Sequence, residues 1–445
     1  MNLNKANSFA LGASHPSAIY LPAVTPGYIK LTQQGATPLR ELPVNFELAD
    51  LAFWTGNSKL FNHKFCLHSV GSQKIGANFT STLFDRTRGD YTIVGDSGGY
   101  QIGKGSLKGL VNLRKGMTGN AAVAAWQYDN AEARRWITGS LSTYFDYSMT
   151  IDMALWFNTK NGAKSPFHQC TDDQLIQMTL GNLQYIEANG LGKTKWLNVL
   201  QGTNPQNTIK WWDAVKHFKH GGWSLAGATG WRGGLHNMLM LLLTMRDEKA
   251  FDAGQDWLHM LGVSQPVWHM YFTACQNKLR ETANPNLQFS YDSASPFILA
   301  GMLDQYAMPP ELTSDERSWS VSFKQLNAVK SMANSDELAF KQNTSPLGRV
   351  LQMKHLVIKP QAHSGRRVDN VSNQLMANHN IWVYLDAGQR VHDIAFGTGQ
   401  DRSRIPQNHL QALQVVEEAF DVSSPMAFID KHKALLDAVA PMMYK

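Results

Sequence analysis

Cysteine is nearly absent from this chain. Only Cys66, Cys170 and Cys275 occur in 445 residues. They are odd in number and far apart, and no CxxC or CxC spacing exists. That argues against a disulfide framework and a sequence-local zinc knuckle, and it fits a reducing compartment. Long hydrophobic runs are missing too. The longest, MLMLLL at 238–243, falls far short of the roughly 20 residues that span a bilayer. The opening MNLNKANSFALGASHPS lacks the apolar core of a signal peptide, so the expected location is cytoplasmic, without a membrane partner. No fixed-period repeat and no low-complexity block interrupts the chain.

What is present is a folded composition: 43% hydrophobic, 17% charged, with 35 Gly and 13 Trp. The length suits one large α/β barrel with an appendage, or two or three smaller domains. The formal charge of +6 fits a polyanionic partner without requiring one.

Short strand-like runs recur, each ending in a polar residue or glycine. They are AIYLPA (18–23), KFCLHSV (64–70), YTIVG (91–95), SMTI (148–151), WLNVL (196–200), WSLA (223–226), WLHML (257–261) and LQFSY (287–291). Apolar runs of this length suit parallel strands buried on both faces. Helical patterns lie between most of them, at 121–137, 171–189 and 235–246. Eight strands alternating with helices predict a (β/α)8 TIM-type barrel over 1–310, with a doubly wound open sheet as the alternative. Residues 311–445 read as a C-terminal α/β extension packed on the barrel. There a strand is expected at 381–385 (IWVYL), and helices at 407–420 and 425–439.

In a barrel, reactive groups stand at the C-terminal ends of strands. That rule selects Asp96, Asp152, Gln201, Gly227, Gly262 and Asp292 for one mouth. One carboxylate can attack an anomeric carbon, a second can move a proton, and a third with an amide can read a purine edge. Taken singly, an Asp in such a place also serves as an ordinary helix cap.

The segment DSGGYQ (96–101) resembles the signature of tRNA-guanine transglycosylases, and SYDSAS (290–295) is similar to the nucleophile segment of the archaeal members. LPAVTP (21–26), TIDMAL (150–155), VLQGTN (199–204) and HMLGVSQP (259–266) resemble further family segments in the right order, so the resemblance covers about 18–305. It implies that Asp292 is the nucleophile of a covalent nucleoside intermediate and Asp96 the general acid/base. It also implies that Tyr100 stacks on the exchanging base, with Ser97, Gly98, Gly99, Asp152, Gln201, Gly202 and Gly227 lining the purine pocket. No redox cofactor or ATP is implied. Family members often pair, so a homodimer is an open expectation.

The chain departs from the tRNA enzymes after the nucleophile. Their CxCxxC zinc motif has no counterpart, because no cysteine follows Cys275, and His355, His363 and His379 lack thiolate partners and ligand spacing. No metal is therefore expected. These departures resemble the DNA-modifying branch of the superfamily, which inserts 7-deazaguanines such as preQ0 into the DNA of bacteria and their phages. The expected partner is DNA, with tRNA as the alternative, and a duplex guanine has to be flipped out to reach the mouth. Candidate nucleic-acid contacts are Lys104, Arg232, Arg366 and Arg367, with Arg86, Arg88 and Lys108 as further cations.

Rival readings are a tRNA enzyme with a degenerate zinc site, a non-catalytic partner subunit, and a glycosidase on the same barrel. GGYQIGK (98–104) nearly matches a phosphate-binding loop, but Gly105 stands where that motif needs Ser or Thr.

Overall fold

The computed structural model describes residues 15–33, 41–85, 87, 91–190, 192–227, 230–252, 254–326, 344–356 and 368–439. Arg86, Arg88, Arg366 and Arg367 lie outside the described residues, as does His363.

Eight parallel strands form one sheet: β1 (Ile19–Pro22), β2 (Phe65–Ser69), β3 (Thr92–Asp96), β4 (Tyr147–Met149), β5 (Lys195–Leu200), β6 (Gly222–Leu225), β7 (Trp257–Met260) and β8 (Gln288–Ser293). Each overlaps a run read from the sequence. The order is β1-β8-β7-β6-β5-β4-β3-β2. The seam between β1 and β2 is closed by one parallel bridge, Ala23 to Leu67, and by the Val24 N–H donating to the Leu67 carbonyl at 2.8 Å. The protein is therefore a TIM-type α/β barrel.

Alternation along the strands explains its two cores. Ile19, Leu21, Leu67, Val94, Met149, Leu197, Val199, Ala226 and Trp257 pack together inside the barrel. Tyr147 stacks on Trp257 at 4.2 Å between ring centres and helps fill the interior. The intervening residues, such as Leu258, Met260 and Phe289, face the outer helices.

Local sequence sets where those helices begin. After β1, Thr25 caps α1 (Pro26–Thr32), with its hydroxyl accepting from the Tyr28 N–H. After β5, Asn204 caps α6 (Pro205–Val215), and Asn207 reciprocates in a capping box. After β7, Pro266 opens α8 (Pro266–Thr282). Proline suits the first turn because its missing N–H has no helical partner there. The intervening α2 (Gly99–Gly103), α3 (Gly119–Ala124), α4 (Ala131–Tyr144), α5 (Asp172–Asn189) and α7 (Gly234–Asp247) complete the barrel wall. Helix α9 (Ser295–Leu303) follows β8.

Two helical expectations need correction. The segment 121–137 is not one helix: a π turn at Ala125–Asp129 separates α3 from α4. Asn130 causes it, because both its backbone N–H (3.0 Å) and its side-chain amide (2.9 Å) donate to the Ala125 carbonyl. The segment 425–439 is two helices, α13 (Pro425–Lys431) and α14 (Lys433–Val439), broken at His432. The Lys431-His432-Lys433 triplet is thus a junction between helices.

The larger correction is at 381–385. The expected strand is the middle of α11 (Asn370–Phe396), a helix of 27 residues. Asp369 caps it by accepting from the Ser372 N–H. Its central residues are buried on every side, so IWVYL carries no helical period, and a short apolar run cannot by itself be told from a strand. The β structure of the C-terminal part lies elsewhere, in an antiparallel pair of β9 (Gln305–Met308) and β10 (Ser322–Gln325). The 310/311 boundary drawn on the sequence falls between those two strands. Helices α10 (Met353–Leu356) and α12 (Gln407–Ala419) complete the described C-terminal part.

Helix α11 packs against α8, α9, α1, β1 and β9. Tyr384 stacks on Tyr20 of β1 at 5.9 Å. Asn378 donates to the Tyr28 hydroxyl at 2.8 Å. Asn380 accepts from the Ala307 N–H at 2.7 Å and donates to the Pro296 carbonyl at 3.1 Å.

Candidate active site

The strand ends bring the expected residues to one rim. Asp292 is buried, and its Oδ1 accepts from the Gly262 N–H at 2.8 Å and meets His259 Nε2 at 3.2 Å. Its Oδ2 makes no hydrogen bond among the described residues. The Val263 N–H also donates to the Asp292 carbonyl at 2.7 Å, so backbone and carboxylate are held from the β7 side.

His259 is a site residue that sequence reasoning passed over, although its segment was noted. It is fully buried inside the barrel, where Nδ1 lies 2.8 Å from Ser290 Oγ. That oxygen also accepts from the Trp257 indole N–H at 2.7 Å. An indole N–H can only donate. A carboxylate oxygen can only accept, so the His259 proton lies on Nε2, facing Asp292, and Nδ1 accepts from the Ser290 hydroxyl. The signal was alternation: Trp257, His259 and Leu261 share one face of β7, and a polar residue inside a barrel needs a partner.

Asp96 ends β3, beside Ser69 at the end of β2. Burial raises its pKa above the usual carboxylate range, and the Asp292 charge adds to that. The Gly98 N–H, donating at 3.2 Å, and Ser69 work against the rise. Gly98 sits at φ +82°, and a Cβ there would stand 2.6 Å from the Gly71 Cα, so only glycine fits. Ser97 is buried, and its hydroxyl has no partner among the described residues.

Asp152 and Gln201 form a buried pair: the Gln201 amide donates to Asp152 Oδ2 at 2.7 Å. Burial pushes the Asp152 carboxyl up to about 7, with the Asp96 charge adding and the Gln201 bond opposing. Gly227, at φ +59°, places its backbone so close that a Cβ would lie 2.7 Å from the Gly202 carbonyl and 3.1 Å from Gln201 Oε1. Gly99 borders Asp152 from the other side.

Tyr100 is 62% exposed and lies 5.7 Å from Trp156, with Lys104 Nζ 5.6 Å and 5.2 Å from the two ring centres. Arg232 is exposed and reaches toward Gly262. Of the expected site residues and candidate cations, then, Arg86, Arg88, Arg366 and Arg367 have no described position.

The arrangement offers a fixed carboxylate, a second carboxyl that retains its proton more readily than usual, and a buried acid–amide pair beside close-packed backbone. That set can perform displacement at a carbon bearing a good leaving group, with proton transfer to that group. Among the described residues no group of three or more His, Cys, Asp or Glu side chains is placed to hold a metal ion. None of their helices is long and apolar enough to cross a membrane. Comparison with known proteins finds no matching family model and no curated protein of significant similarity.

Proposed function

We propose that this chain is a base-exchange transglycosylase that replaces guanine in DNA with a 7-deazaguanine such as preQ0. The observation that carries the reading is the hold on Asp292. One oxygen is fixed by the Gly262 N–H and His259, the other is left unbonded, and the Asp292 charge is felt by a second carboxyl, Asp96, whose pKa is raised. In this reading the free oxygen of Asp292 attacks C1′ of the target nucleoside. The C1′–N9 bond breaks, and Asp96 gives its proton to the departing guanine. The result is an ester between Asp292 and C1′. The incoming 7-deazaguanine then attacks C1′, loses its proton to Asp96 and releases the Asp292 carboxylate, so atoms and charge balance without an oxidant.

Asp152 and the rim glycines read the purine. An ionised Asp152 oxygen accepts the N–H groups of the guanine edge, with Gln201 holding the carboxylate in place. The thiolate zinc site of the tRNA enzymes does not fit this chain, because no cysteine follows Cys275, itself buried within α8. Substrate choice rests on that departure.

The test is incorporation of radiolabelled guanine into DNA and, separately, tRNA. Label in DNA that disappears with Asp292→Ala and falls at least 100-fold with Asp96→Ala is the expected result. Label in tRNA alone moves the protein to the tRNA reading. Label in neither polymer overturns base exchange by this chain alone.

A further inference from the structure

Two loops on one side of the mouth carry cations and no acids. Residues 97–128, which leave β3, hold Lys104, Lys108, Arg114 and Lys115 without one Asp or Glu. Residues 153–171, which leave β4, hold Lys160 and Lys164, again without an acid. In a chain with 35 acidic residues, that is a marked local bias.

The loops form one surface. Gly103 packs on Phe157 and Gly105 on Pro166, Thr118 bridges to Gln169, and the Cys170 thiol donates to the Gly119 carbonyl. Among the described residues none of the six cations has a carboxylate within ion-pair reach. By contrast Lys59, Lys195, Lys210, Lys216, Lys219 and Lys278 each have one within 3.7 Å. Lys108, Arg114, Lys115, Lys160 and Lys164 are exposed.

Aromatic faces stand among them. Tyr100 and Trp156, one from each loop, lie side by side with Lys104 near both rings. Farther along, Arg114, Met117 and Tyr128 line an open groove of about 590 Å³, and Tyr128 is 76% exposed. The groove's one acid, Asp129, lies just past the first segment and accepts from the Asn112 amide at 2.9 Å. Unpaired cations interleaved with exposed rings suit a chain of phosphates and bases, since cations neutralise the backbone and rings stack on any base. An acidic protein partner would use the charges but has no call for the rings.

We infer that this flank, residues 97–128 with 153–171, is the track along which the polynucleotide backbone runs into the mouth, and that Trp156 stacks on a base next to the exchanged one. The inference rests on the base-exchange reading, which supplies the polynucleotide, and it assigns the place where that polymer is held.

Fluorescence anisotropy with a labelled single-stranded oligodeoxynucleotide, its duplex and a tRNA, over a series of salt concentrations, tests it. The variant Lys108→Ala/Arg114→Ala/Lys115→Ala/Lys164→Ala should bind at least about tenfold more weakly at low salt. Its slope of log K against log salt should be shallower by up to about 3. A control with four cations changed elsewhere, Lys193→Ala/Arg317→Ala/Lys324→Ala/Lys431→Ala, should bind as the wild type does. Trp156→Ala should lose about tenfold on single strands, and Trp156→Phe should restore most of it.

Equal loss in flank and control variants means diffuse attraction and overturns the inference, as does binding of polyglutamate in preference to every nucleic acid. A flank variant that binds and exchanges like wild type sinks the inference and leaves the function standing. Binding through the flank with no exchange by wild type does the reverse.

Discussion

Single residues in the mouth are governed by their neighbours. Asp152 belongs to the same residue type as exposed Asp173, yet burial, with the Asp96 charge adding, lifts the Asp152 carboxyl to about 7. Because the folded value lies above the unfolded one, the stability tied to its protonated form is fully present below the ordinary carboxylate range. It is lost as pH rises through about 7. At roughly 1.4 kcal/mol per pKa unit, the loss is at most about 4 kcal/mol. Asp152→Asn cannot ionise, so its stability relative to wild type should grow between pH 5 and pH 8. Urea unfolding at the two pH values measures this, and parallel curves for both proteins would contradict it. Asp152 and Asp292 were legible in the sequence as polar ends of apolar runs. His259 was not, because its role depends on Ser290, which lies 31 positions away in the chain.

At the scale of elements, α11 shows how burial erases a pattern. An amphipathic helix announces itself by an apolar stripe, but a helix covered all round has none. Its polar residues take up buried backbone groups. Asn380 meets the Ala307 N–H of β9 and the Pro296 carbonyl at the start of α9, so one side chain ties three elements together. Asn380→Ala leaves a buried donor and a buried acceptor without partners, and should destabilise the protein by about 1–3 kcal/mol. Equilibrium unfolding followed by circular dichroism tests it; a change below about 0.5 kcal/mol would mean that water or backbone movement replaces both bonds. The strands, by contrast, were readable, because parallel strands buried on both faces are apolar at consecutive positions whatever covers them.

For the whole molecule, the C-terminal part covers the barrel wall where β1 and β8 meet. Tyr384 lies on Tyr20, and Gly388 comes within van der Waals reach of His269 and Tyr291. Ending the chain at residue 310 removes α11 and β10 together. It exposes this aromatic wall and leaves β9 without a pairing strand, which should favour aggregation. The shortened chain should therefore be recovered without a cooperative thermal transition. A monodisperse product that melts sharply would show that the barrel stands by itself.

The sequence by itself determined the places of the eight barrel strands, the helix start at Thr171 and the set of polar strand ends facing one rim. All of these follow from local rules: apolar runs and side-chain caps act over a few residues. Tertiary structure alone decided that 381–385 is helical, that Asn130 breaks the helix before it, and that His259 meets Asp292. It also set the raised pKa values of Asp96 and Asp152. Those outcomes depend on which distant groups share one low-dielectric space, and adjacency in the chain carries no record of that.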